Sequence, residues 1–103
     1  MRTMVKFKFA AEVGNQVIRT GKIEKVLQGI MEYLKPEAAY FYPEDGQRAG
    51  LMVFDMQDAS QVAEVVERFA FGLNASIELT PVMNGDDLQK GLSGVPGIIQ
   101  QYG

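Results

Sequence analysis

Apolar residues follow two different periods along this chain, and the two periods alternate. Val5, Phe7 and Phe9 lie two apart with Met4, Lys6, Lys8 and Ala10 between them, the alternation of a strand with one apolar face. Gly14-Asn15 breaks the run. Ile23, Val26, Leu27, Ile30, Met31 and Leu34 then recur at helical spacing, while Lys22, Lys25, Gln28 and Glu32 fall outside the stripe. The start of this helix stays open between Asn15 and Thr20, because Val17 and Ile18 lie off the stripe and Gly21 weakens the middle. Pro36 ends it. Residues 38–42 read as a short strand rich in β-formers, 43–47 as a turn marked by Asp45-Gly46, and 50–56 as the hairpin partner. That partner is apolar on both faces and is therefore expected at the centre of a sheet.

The same phrase then repeats. Asp58, with Gln61 three positions on, gives a capping-box pattern for a helix over 60–69. Val62, Val65, Val66 and Phe69 make its inner stripe, and Glu64 to Arg68 is a favourable pair one turn apart. Ala75, Ile77 and Leu79 alternate with Ser76, Glu78 and Thr80 in a last strand. Asn84 opens a short helical turn with Asp87 at the reciprocal capping position and Leu88 and Leu92 on one side.

The order βαββαβ predicts an α+β, ferredoxin-like domain over residues 1–92 with a C-terminal tail at 93–103. Right-handed crossovers place both helices on one face of a four-stranded antiparallel sheet ordered 4-1-3-2. On parity, the helix side is expected to take Val5, Phe7, Phe9, Phe41, Leu51, Val53, Ile77 and Leu79. The open side takes Lys6, Lys8, Tyr40, Tyr42, Met52, Phe54, Met56, Ser76, Glu78 and Thr80. A patch of large apolar groups left in water asks for a partner. A homodimer is therefore expected, with Tyr40, Tyr42, Met52 and Phe54 at its interface. The tail carries Val95, Ile98, Ile99 and Tyr102, too apolar for a solvating segment, while Phe71 lies on the α-helical side opposite Val62. The tail is expected to dock over a helix surface, its own or its dimer mate's, and to cover Phe71.

Composition narrows the chemistry. The 103 residues include no histidine, cysteine or tryptophan, which removes imidazole and thiolate metal sites and Ser-His or Cys-His nucleophiles. With no GxGxxG fingerprint either, no metal, haem, flavin or other cofactor is expected. Lys+Arg 10 against Asp+Glu 13 leaves a net charge of −3, without the basic stripe that nucleic-acid binding requires. Residues 48–54 have a faint likeness to the RNA-recognition strand motif, but its stacking aromatics are largely replaced. No apolar run approaches the ~20 residues that span a bilayer. Lysines interrupt the N-terminal apolar positions, so no signal-peptide core is read there and a cytoplasmic protein is expected.

Of the carboxylates, Glu44-Asp45 reads as a solvated turn, Asp86-Asp87 as helix capping, and Asp55 as a strand-end group seating the second helix. Lys6, Lys8 and Glu78 fall on neighbouring strands and form either a structural ion pair or part of a cleft for an anionic small molecule. Tyr40 and Tyr42 would supply donors and Met52 an adaptable wall.

The element order, the half-polar second face and the segment after the fourth strand resemble the dimeric α/β-barrel group of ferredoxin-like proteins. That group includes muconolactone isomerase-like, antibiotic-biosynthesis monooxygenase-like and stress-responsive barrel proteins. Lys35-Pro36-Glu37-Ala38-Ala39-Tyr40-Phe41, the Asp45-Gly46 hairpin and Pro81-Val82-Met83-Asn84-Gly85-Asp86-Asp87-Leu88 are similar to an uncharacterised bacterial branch of it. The resemblance implies the fold and the homodimer and no particular chemistry. Two functions follow as expectations. One is a small-ligand-binding or assembly module. The other is a cofactor-independent enzyme, monooxygenase- or isomerase-like, acting on a small aromatic or carbonyl compound with Tyr40, Tyr42, Lys8 or Glu78 as acid or base.

Overall fold

The computed structural model describes residues 1–103. Its elements run β1 (Arg2–Phe9), α1 (Ala11–Arg19), α2 (Lys22–Leu34), β2 (Ala38–Glu44), β3 (Gln47–Asp55), α3 (Gln61–Leu73), β4 (Ser76–Pro81), α4 (Gly85–Leu92) and α5 (Val95–Tyr102). The four strands form one antiparallel sheet in the order β2-β3-β1-β4, which read from the opposite edge is 4-1-3-2. Pro43 sits in β2, an edge strand, where a missing N–H is tolerated. No helix is long and apolar enough to cross a membrane.

The register of β3 corrects the face assignment. Asp45 and Gly46 both have positive φ, +52° and +73°, as a two-residue turn with the twist of a hairpin requires. Such a turn pairs Glu44 with Gln47, hence Phe41 with Gly50 and Tyr40 with Leu51. On the other side Val5 pairs with Met52 and Phe7 with Gly50. Met52, Phe54 and Met56 therefore face the helices and are buried in the core, whereas Leu51 and Val53 turn to the open face. Met52, at 0% exposure, and Phe54, at 2%, are not available to line an open-face cleft or interface.

Beneath α2 and α3 the core gathers Val5, Phe7, Phe9, Met52, Phe54, Val65, Phe69 and Leu73 with Ile30 and Leu34. The segment after β1 forms a helix of its own. Gly21, at φ +73°, ends one axis and starts the next, and Val17 on α1 is buried while Val13 packs at the core margin. Gly14, which reads as a breaker in the sequence, is buried within α1, where a Cβ would stand 2.8 Å from the Phe9 ring. Tyr33 locks α2 to α3, its hydroxyl donating to Glu64 at 2.6 Å while the Arg68 guanidinium lies 3.8 Å over its ring.

At the start of α3 the helix begins one residue beyond the expected position. Ser60 takes the N-cap position and donates to the Asp58 carboxylate instead of capping the helix with its own side chain. Gln61 does turn back, its Oε1 accepting from the backbone N–H of Gln57 at 2.7 Å and of Asp58 at 3.3 Å. Val62, expected on the inner stripe, is exposed, and Leu73 takes a core place one turn beyond Phe69. Asp55 accepts from the Gln57 side chain at 2.7 Å. At α4 both halves of the Asn84–Asp87 capping box form, at 3.0 and 2.8 Å.

Within the chain, the tail does not cover Phe71. Residues 95–102 form α5, yet Phe71 stays 79% exposed and no residue of α4 or α5 is buried.

Candidate functional site

The glycine at position 50 lets the Phe7 ring form the floor of an apolar cleft. It lies between Phe7 and Phe41 on the flanking strands, so no side chain fills the sheet surface there. The Phe7 ring occupies that space; a Cβ on Gly50 would meet it at 2.6 Å and the Tyr40 carbonyl at 3.0 Å. Phe7 in turn packs on Phe69 at 4.8 Å and meets Phe41 edge-on at 6.3 Å and 70°. Above these rings α2 stands off from the hairpin. The result is a cleft of about 430 Å³ between sheet and helix, lined by Phe7, Phe9, Ile23, Leu27, Phe41, Leu73 and the hairpin residues 42–43 and 46–49. That volume and lining suit a small organic molecule.

Arg48 is the one charged side chain in this lining. It faces the helix side opposite Phe9, and its guanidinium donates at 3.4 Å to the Ala11 carbonyl at the start of α1. It forms no ion pair, in contrast to Arg2, Lys6 and Lys8. Gly14 leaves the room it needs, since a Cβ there would approach its Nη1 to 2.6 Å. A guanidinium with free donors at the rim of an apolar hollow is suited to a carboxylate or carbonyl oxygen on an otherwise apolar molecule. No carboxylate or lysine lines the cleft to move a proton.

Apart from Met52 in the core and Tyr42, which also reaches the cleft lining, the residues expected from the sequence occupy the opposite face of the sheet. Rows across it read Glu78-Lys6-Leu51-Tyr40 and Ser76-Lys8-Ala49-Tyr42. Lys6 stands opposite Glu78, but its Nζ reaches over the small Ala49 row to Glu44 at 2.8 Å, and Lys8 reaches Asp45 at 3.1 Å. Hydrogen bonds and charge from Glu44 and Asp45 raise both lysine pKa values above their ordinary range, so both stay ammonium. The hollow beside Lys6, Lys8, Glu44 and Glu78 holds only about 30 Å³, room for one water. Tyr40 and Tyr42 share this open face, Tyr40 exposed and Tyr42 half-buried, whereas Met52 lies beneath it in the core. No group of three or more carboxylates is close enough together to hold a metal ion.

Arg48 is the residue that sequence reasoning missed. The signal was present in the Asp45-Gly46 turn, because a two-residue loop puts residues 48, 50, 52 and 54 on the face of Phe41.

Residues 1–95 match the family model described as "Domain of unknown function (DUF3303)", and the chain belongs to that family. No curated protein matches the chain.

Proposed function

We propose that this member of the DUF3303 family is a homodimeric, small-molecule-binding module of the ferredoxin-like, dimeric α/β-barrel kind. Its ligand is a compact, largely apolar compound, aromatic or branched, carrying one anionic or carbonyl oxygen. The observation that carries this reading is the unpaired Arg48 at the mouth of the Phe7–Phe9–Phe41–Leu27 cleft. The cleft lies under the helices, and the charged pairs of the open face stand apart from it. Binding is favoured over turnover because, apart from the Tyr42 phenol at its edge, the lining offers a guanidinium donor and apolar walls but no carboxylate or lysine to act as base.

The dimer is supported by the open face. Tyr40, Leu51 and Val53 with Met4 form an apolar strip there, flanked by the Lys6–Glu44 and Lys8–Asp45 pairs. Packing two such faces against each other would bury the strip, with the lysines beside it already paired to Glu44 and Asp45.

Calorimetric titration with an aromatic sulfonate probe, anilinonaphthalene sulfonate, tests the ligand reading. Saturable one-to-one binding per chain is expected, weakened about tenfold or more by Arg48→Gln and abolished by Phe41→Glu. Equal binding by all three proteins would defeat it.

A further inference from the structure

The C-terminal helices form an arm that its own body does not use. Its two helices, α4 and α5, follow one another across a two-residue turn at Ser93 and Gly94, both of which keep right-handed dihedrals. Along the arm Leu88, Leu92, Val95, Ile99 and Tyr102 recur in the sequence at alternating steps of four and three, the spacing of an apolar packing seam, and none of them is buried. Of residues 83–103 only Val95 is even half-buried.

The shape of the chain reflects this. Its extents are 58 × 28 × 20 Å and its radius of gyration is 17.1 Å, against about 13 Å for a compact chain of this length. It exposes 7054 Å² where a compact monomer of this size exposes about 5,800 Å². The excess exceeds the ~800 Å² that each partner contributes to a standard stable interface.

The base of the arm fixes its direction. Arg2, on the open face of β1, holds Glu37 at 2.6 Å and Asp87 of α4 at 3.4 Å, and the Val82 N–H donates to the Arg2 carbonyl at 3.1 Å. The arm thus departs from the open-face side of the sheet.

We propose that the α4–α5 arm is exchanged between protomers, its Leu92–Val95–Ile99–Tyr102 seam packing on a second copy of this chain. The inference rests on the face-to-face pairing of the sheets and adds to it a crossing element that ties the pair together. An arm leaving from the open-face layer meets the second copy's body wherever the two sheets are apposed.

Ile99→Asp combined with Tyr102→Asp tests it by light scattering and sedimentation, with circular dichroism as a check on the body. Both side chains are exposed in the single chain, so the substitutions leave its fold intact. The wild type is expected to be a dimer, and the double variant to dissociate about 100-fold more readily with an unchanged spectrum. A wild-type dimer with an equally tight variant would overturn the arm exchange and leave the sheet pairing standing. A monomeric wild type would overturn both.

Discussion

Val5 and Met52 stand directly opposite each other across the two central strands, and both are completely buried. That single pairing assigns every other residue of β3 to a face. It puts Phe54 and Met56 beneath the helices, Leu51 and Val53 on the open side, and Arg48 at the mouth of the cleft.

Met52→Ala should therefore cost about 2–5 kcal/mol of folding stability, the range for truncating a buried Met or Leu. Leu51→Ala should cost the isolated domain far less, because Leu51 is half-buried on the open face. Urea unfolding at low protein concentration measures both. Equal losses, or the reverse order, would contradict the register.

Much of this fold is legible in the chain. The two βαβ phrases, the Asp45-Gly46 turn and the Asn84–Asp87 box all formed as their residue chemistry requires. The face of β3 was misread because Gly50 to Met56 is apolar on both sides, so hydrophobicity alone cannot orient it. Turn length carries the missing parity. Helix α1 was hidden because Gly14 and Gly21 resemble breaks; Gly14 is small so that Phe9 and Arg48 can approach it. The cleft was overlooked for a related reason. Its floor is the Phe7 ring lying over Gly50, and its charge comes from Arg48, on the face of β3 that parity had placed on the open side.

Gly50→Ala should destabilise by about 1–3 kcal/mol, since its Cβ would collide with both the Phe7 ring and a backbone carbonyl. Gly97→Ala, in α5 with open space around it, should instead be neutral or stabilising by up to about 1 kcal/mol. Thermal unfolding of the two variants separates them. A harmless Gly50→Ala would mean that Phe7 does not occupy the gap that forms the cleft floor.

Asp58 gives a pH signature. The hydrogen bond from Ser60, with those from the backbone N–H groups of Ala59 and Ser60, lowers its pKa below the ordinary 3.8. A depressed carboxylate contributes stability above its unfolded value and loses it as pH falls through the folded one. Asp58→Ala should therefore melt earlier than wild type at pH 6, with the gap closing as pH falls below about 4 toward 2. A gap that is constant over this range would show that the Asp58 charge contributes nothing.

Tyr33→Phe removes a hydroxyl that donates to Glu64 and accepts from Gln61 at 3.3 Å, but leaves the ring under Arg68. A loss of about 0.5–1.5 kcal/mol is expected. Tyr33→Ala should lose several times more by freeing α2 from α3. Chemical denaturation of both variants distinguishes a hydrogen-bonded clamp from a bystander; identical losses would remove the hydroxyl's role.

The central claim is that the ligand enters under the helices at Arg48 and Phe41 and leaves the lysines of the open face untouched. Amide chemical-shift mapping during titration with phenylacetate, an apolar ring bearing one carboxylate, tests it most directly. Shifts should concentrate at Phe9, Leu27, Phe41 and residues 46–49, with Lys6, Lys8 and Glu78 unmoved. Shifts centred on Lys6, Lys8 and Tyr40, or none at millimolar ligand, would contradict it.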